Sequence, residues 1–288
     1  MENGVYRRSL PRGHARYGRH VRHDRRSERY AVGVLPNHAI KAVKWTRRIP
    51  ILDQGNLGKC TAEAFTGVAG TDNAVGTGQT SVMLSATAQT RGFFTDGASY
   101  ALDDTFSTAF YSVETADDTY PGSYPPDDTG SDALGAMAAG KALGLVTQYQ
   151  HAMSYAAAVS AIQSGPLMWG TTFYYSMENL TADGYFMADP KSGVAGGHEM
   201  LLNSYDPDTD EWGGDNSWGE SWGLDGSFKI KGVVLTKLLA DDGDITLPVW
   251  SFAPVVPVPP APPTPPAVDD AALWAAAQSW AVGKGFTA

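Results

Sequence analysis

The stretch DQGNLGKC, residues 53–60, runs directly into TAEAFTGVA, and the join between them limits what the rest of the chain can build around it. Gly55 and Gly58 allow a tight turn, and Ala64, Phe65 and Val68 then fall on one face at helical spacing. The junction predicts a turn feeding a helix, with Cys60 at or near the helix N-terminus. Unpaired backbone N–H groups and the positive end of the helix dipole meet there, and both favour a thiolate over a thiol. Cys60 is also the only cysteine among 288 residues, so no disulfide can form within the chain. A lone cysteine is most often an inert buried thiol. A reactive one needs a base, a group that orients the base, and donors for an oxyanion.

Of six histidines, His14, His20, His23 and His38 lie in an arginine-dominated N-terminal stretch, which leaves His151 and His198. His198 follows Gly196 and Gly197 and opens the run HEMLLNSY, whose alternation predicts a strand with His198, Met200 and Leu202 on one face. Paired glycines leave room for a substrate backbone beside it. Eighteen residues on, Asn216 sits in DNSWGESWG, where its amide can hold the second nitrogen of an imidazole. His151, in QYQHAMSY, has no such setting and reads as an ordinary surface histidine.

These motifs resemble those of the papain-like cysteine peptidases. By that resemblance Gln54 matches the oxyanion-hole glutamine, Cys60 the nucleophile, His198 the base and acid, Asn216 the orienter, and Trp218 the indole that shields the Asn–His contact. The intervals of 138 residues from Cys60 to His198 and 156 to Asn216 lie at or just past the family's range of about 130 to 150. Leu35, Pro36, Trp45, Pro50 and Asp53 resemble the opening of a mature papain-like domain, and the resemblance covers roughly residues 35–235. It implies an α+β, two-lobe fold, a helical lobe carrying Cys60 and a β-rich lobe carrying His198 and Asn216, with the cleft between them. It further implies a cysteine-type endopeptidase with no cofactor, acting on a protein or peptide through a Cys60–His198 thiolate–imidazolium pair and a thioester. Two other readings stay open: a peptidoglycan-stem peptide hydrolase, and a catalytically silent papain-fold scaffold. The chain departs from the family at three places. The paired structural cysteines are missing; Lys59 adds a positive charge beside the nucleophile that would favour the thiolate; and Glu199 replaces a small residue, reading as a solvated or substrate-facing carboxylate.

Charge is sharply divided along the chain. Residues 1–50 hold 13 of the 21 Lys and Arg but 3 of the 31 Asp and Glu, a balance of +10 against −20 for the remainder. Residues 1–34 mix Arg, His and Tyr without periodicity and read first as a solvated, disordered arm. Two sharper readings are a nucleic-acid-binding arm and a short pro-segment that lies over the acidic body and is cut away. Between Arg91 and Lys141 lie nine acidic residues and no Lys or Arg, the pattern of a solvated face that would favour basic substrates if it lined the cleft.

The remaining elements follow from periodicity and turn chemistry. SVMLSATAQTRGFF reads as a second helix, and SDALGAMAAGKALG as a further one with Ser131 or Asp132 as its cap. After about residue 145 the character shifts to strands, including LMWGTTFYY and SFKIK. Asp206, Asp208 and Asp210 fail a calcium-loop template, having Glu211 at the glycine position and Ser217 at the final acid, and read as a polar hairpin turn. The main domain is expected over residues 35–250, followed by a Pro-rich linker over 251–268 and a short helix over 269–288 whose Trp274 and Trp280 suggest docking on the body or a partner. No apolar run is long enough to span a membrane and no secretory leader is evident, so a cytoplasmic or assembly-associated location is expected.

Overall fold

The computed structural model describes residues 4–8 and 10–252; the Pro-rich stretch and the tryptophan helix expected beyond them lie outside the described residues. The chain opens with a hairpin, β1 (Val5–Arg8) on β2 (Val21–Asp24), followed by the short β3 (Val43–Lys44). Helix α1 (Cys60–Ala69) comes next, then a small hairpin of β4 (Ser81–Met83) and β5 (Ser99–Ala101), and helices α2 (Asp104–Asp117) and α3 (Ala133–Ala142). The second half holds β6 (Val146–His151), α4 (Tyr155–Ala161), β7 (Leu167–Tyr174), β8 (Val194–Asp206), β9 (Glu211–Asp215), β10 (Ser227–Lys231), α5 (Gly232–Ala240) and β11 (Asp244–Trp250).

Six strands of the second half form an antiparallel sheet in the order β10-β9-β8-β7-β11-β6, and β3 adds to β8 beyond the end of β7. One core fills the helical side, where Phe65 of α1 stacks on Phe110 of α2 at 4.2 Å and packs with Met137, Leu143 and Trp250. A second core lies within the β-rich part around Trp169, Phe173, Met200, Trp212 and Phe228. Every residue of α1 is buried, so this helix is the spine on which both halves rest. Gly140 lets α3 close on it, because a Cβ there would lie 2.8 Å from the Phe65 ring.

The expected two-part α+β architecture and the strands at LMWGTTFYY, HEMLLNSY and SFKIK are present. Helix α3 begins at the expected cap, with the Asp132 carboxylate accepting from Gly135 N at 2.9 Å. Other expectations are corrected. The second helix read at SVMLSATAQTRGFF is instead β4 and turns, since Val82 and Leu84 are buried while Ser81 and Met83 are exposed, a period of two. The helix in this region is α2, where Phe106, Phe110 and Val113 supply the buried stripe and Asp103 caps the N–H groups of Thr105 and Phe106. His151 is no surface residue; it is buried on β6 with Nδ1 3.0 Å from Thr246 Oγ1. The acidic run is not wholly solvated, because Glu114 and Asp132 are buried. Asp206, Asp208 and Asp210 lie in the β8–β9 hairpin. Among the described residues no helix is long and apolar enough to cross a membrane.

Candidate active site

Cys60 is the first residue of α1 and is fully buried. His198, also fully buried, stands on β8, and Asn216 and Ser217 follow β9. The imidazole Nε2 lies 2.7 Å from Asn216 Oδ1, and the backbone N–H of Ser217 donates to the same oxygen at 2.8 Å. A backbone N–H can pair only with the amide oxygen, so Nε2 must be the donor to it. The tautomer is thereby fixed, and Nδ1, which has no hydrogen-bond partner, is the basic nitrogen. Trp218 lies beside the imidazole with ring centroids 4.9 Å apart, and Phe173 meets it edge-on at 5.3 Å.

Gln54 closes the arrangement from the turn before α1. Its Oε1 accepts from Ser217 Oγ at 2.8 Å and its backbone N–H donates to Ser217 O at 2.9 Å. Its Nε2 donates to Leu57 O at 2.8 Å and to Arg16 O at 2.9 Å. The backbones of Glu199 and Gly18 lie near enough to the Cys60 thiol to favour its charged form. Of the four residues expected from the sequence, His198 and Asn216 are hydrogen-bonded to each other and Gln54 joins them through Ser217; Cys60 starts α1 six residues after Gln54. Ser217, which locks the side chain of Gln54, had no signal beyond its place inside NSWG.

The N-terminal arm, expected to be solvated, runs through this site. Tyr17 is buried and meets His198 and Trp218 edge-on, while the Arg16 guanidinium lies 4.6 Å over the Trp218 ring. Gly13 N donates to Ala195 O at 2.7 Å and Arg19 N to Gly197 O at 3.1 Å, so the arm pairs with β8. Ser131 N donates to Gly18 O at 2.9 Å and His20 N to Ser131 O at 2.7 Å, so it also pairs with the helical side. Gly196 and Gly197 are where the backbones meet: a Cβ would lie 2.4 Å from Tyr17 Cβ at the first and 2.1 Å from Arg19 O at the second. The arginines of the arm find acids on the body, Arg12 with Asp128 at 3.0 Å and Arg22 with Asp132 at 3.5 Å. Arg19 is buried against Glu199 and Asp244. An arm without periodicity folds because its partners come from distant elements, which no local pattern records.

This packing reverses three electrostatic expectations. Burial, then Glu199, push the Cys60 thiol up to about 12, outweighing the opposing influence of the Glu199 and Gly18 backbones. Burial, aided by Arg16, brings His198 down to about 4 against the Asn216 hydrogen bond that favours its charged form. In this closed arrangement the two are a neutral thiol and a neutral imidazole, not an ion pair. Lys59 does not reach the sulfur; its ammonium pairs with Glu63 at 2.5 Å and bonds Ser107 and Thr108. Glu199 is not solvated but fully buried beside Arg19, at 3.5 Å.

Among solved structures, xylellain, a cysteine protease from Xylella fastidiosa, is similar over 85% of this chain and 98% of its own, at 15% identity and a TM-score of 0.55. This chain has the papain-like fold. Two further papain-like matches are digestive procathepsin L 3 from the larval midgut of Tenebrio molitor, at 18% identity, a TM-score of 0.43 and coverage of 83% of this chain and 76% of that one, and bromelain from Ananas comosus in complex with E64, at 14%, 0.43, 70% and 94%. No family model matches the sequence, and no curated protein matches it. The arm pairs with β8 at Ala195 and Gly197 and with Ser131 on the helical side.

Proposed function

We propose that the chain is a cysteine-type endopeptidase, latent in the arrangement described because its own residues 10–20 fill the cleft. The observation that carries this reading is the fixed tautomer of His198: Nε2 is tied to Asn216 Oδ1 at 2.7 Å, which leaves Nδ1 as a free base on the strand whose next residue, Glu199, is near enough to influence the Cys60 thiol. The Gln54 amide supports it, since it already donates to a peptide carbonyl, that of Arg16. That carbonyl stands in for the one a substrate would present.

With the arm displaced, water reaches the site and relieves the burial that holds both groups neutral. His198 Nδ1 then takes the proton from Cys60 Sγ, and the thiolate attacks the carbonyl carbon of a peptide bond. The negative oxygen formed is held by the Gln54 side-chain N–H and the Cys60 backbone N–H at the start of α1. As the C–N bond breaks, the amine leaves with the proton from His198 and the acyl group stays on sulfur as a thioester. His198 next draws a proton from water, whose oxygen attacks the thioester and restores the thiol. Asn216 holds the ring in its tautomer throughout, and Ser217 holds Gln54.

The test is hydrolysis of a peptide mixture by full-length Gly18→Ala, in which a Cβ at position 18 would lie 1.8 Å from Gly58 O and unseat the arm. Cleavage that disappears when Cys60→Ala is added supports the reading. Cleavage that persists without the thiol rejects it, and no cleavage by an unseated, folded chain favours a silent papain-fold scaffold.

A further inference from the structure

Glu63 is the one charged residue of α1, a helix buried along its whole length, and is itself only 2% exposed. A carboxylate so placed is costly unless its oxygens are paired. One of them is: Oε1 meets the Lys59 ammonium at 2.5 Å and accepts from Ser107 Oγ at 2.8 Å. The other, Oε2, is buried without a hydrogen-bond partner. Asn216 carries the complementary defect. Its Oδ1 takes the N–H groups of His198 and Ser217, while its Nδ2, a donor, is buried and unpaired.

Both residues border the same small cavity, a space of about 10 Å³ with Leu52, Ala64 and Leu201 among its apolar walls. That volume is about one water-sized sphere, and a water there offers a lone pair to an N–H and a proton to a carboxylate. Neither orphaned atom bonds the other, so the gap between them is one that a bridging water closes. The other charged groups around the cavity are engaged elsewhere. Arg47 pairs with Asp215 at 3.3 Å. The Glu199 carboxylate is drawn over Gly170 on β7 toward Arg19 Nε, at 3.5 Å.

We propose that this cavity binds one buried water, which accepts from Asn216 Nδ2–H and donates to Glu63 Oε2, and that Glu63 is through it a positioning residue for the His198–Asn216 pair. Glu63 follows Cys60 by three residues on α1. The water therefore ties the helix that begins with the thiol to the amide that fixes the imidazole, and gives that amide a second hold besides the Ser217 N–H. The water site stands without turnover; its effect on cleavage rests on the peptidase reading.

A high-resolution crystal structure of the full-length wild-type chain tests the water, and needs no variant to fold. One solvent peak within hydrogen-bond distance of both Asn216 Nδ2 and Glu63 Oε2 is expected; a dry cavity, or a peak that misses either atom, overturns the proposal. The positioning role is tested in a Lys59→Met background, so that no buried ammonium is stranded. There Glu63→Gln keeps a polar group beside the water and Glu63→Met does not. In full-length chains carrying isotope-labelled histidine, NMR should show the His198 Nε2–H exchanging with solvent at least about tenfold faster in Glu63→Met than in Glu63→Gln. The indole N–H of Trp169, buried in the second core, should exchange alike in both. Equal exchange at His198, or faster exchange at both residues, overturns the positioning role. With Gly18→Ala added, Glu63→Met should cleave peptides with a kcat about tenfold below that of Glu63→Gln and an unchanged KM. Cleavage at equal rates rejects the positioning role and leaves the peptidase reading standing. Faster exchange at His198 with no cleavage by either chain upholds the positioning and sinks the peptidase reading.

Discussion

The side-chain amide of Gln54 donates a hydrogen bond to the backbone carbonyl of Arg16 at 2.9 Å, so the donor expected to serve an oxyanion is engaged by the chain's own N-terminal arm. The proposed latency rests on that contact together with the burial of Tyr17 against His198 and of Arg19 against Glu199. The arm is held mostly by backbone pairing to Ala195, Gly197 and Ser131, and such pairing requires close approach.

Close approach makes Gly18 the point at which the arm can be dislodged without altering the chemistry. Gly18→Ala places a methyl group against Gly58 O, a backbone atom that cannot step aside. Alkylation of Cys60 by iodoacetamide should accelerate at least tenfold over wild type, because the thiol is otherwise fully buried. Peptide mapping after timed quenching measures it.

The pH dependence should differ between the closed and unseated forms. With the thiol pushed up to about 12 in the closed chain, only a thiol is present at neutral pH, and alkylation should climb steadily through the alkaline range. In Gly18→Ala a plateau should appear at mildly acidic to neutral pH, where a Cys60–His198 ion pair can persist. Stability carries the opposite signature. His198 is brought down to about 4 by burial, so between its ordinary value near 6.5 and about 4 the unfolded chain binds a proton that the folded chain does not. The closed form should therefore lose stability as pH falls through that window, and Gly18→Ala should lose less. Urea midpoints at several pH values report both.

Asn216→Ala should cost both stability and reactivity. It strands the Nε2–H of His198 and the backbone N–H of Ser217 in a buried site, at about 1–3 kcal/mol for each unpaired donor. Urea unfolding measures the loss. In the Gly18→Ala background the substitution should also slow cleavage, because nothing then selects the tautomer with a free Nδ1.

Gln54→Ala in the same background should lower the cleavage rate by about 10² to 10³ without abolishing it, since the Cys60 backbone N–H still faces the developing charge. Steady-state kinetics on one cleaved peptide tests this, with the loss expected in kcat more than in KM.

The fold and the pairing of His198 with Asn216 could be read from the sequence because their signals are local. A turn into α1, a histidine behind two glycines and an NSWG turn are each visible within ten residues, and their order suggested the fold. What escaped was made by tertiary pairing. Arg19 lies in a stretch without periodicity, and its partners Glu199 and Asp244 are 180 and 225 residues away, so it looked like part of a solvated tail. Glu199 looked solvated because its burial depends on that arginine. Lys59 stands next to Cys60 in sequence, yet the helical turn carries its ammonium to Glu63 and away from the sulfur. His151 was placed at the surface because QYQHAMSY is polar, whereas it is buried on β6 with its ring against Thr246 of the neighbouring β11. The period-two burial of Val82 and Leu84 was hidden in a run that also permits a helix.

The most direct test is labelling of Cys60 by a thiol-directed epoxide, quantified by mass spectrometry in three full-length chains: wild type, Gly18→Ala, and Gly18→Ala with His198→Ala. The account predicts close to one label per chain in Gly18→Ala and little in the other two. Equal labelling of wild type, or labelling that continues after the imidazole is removed, would contradict it.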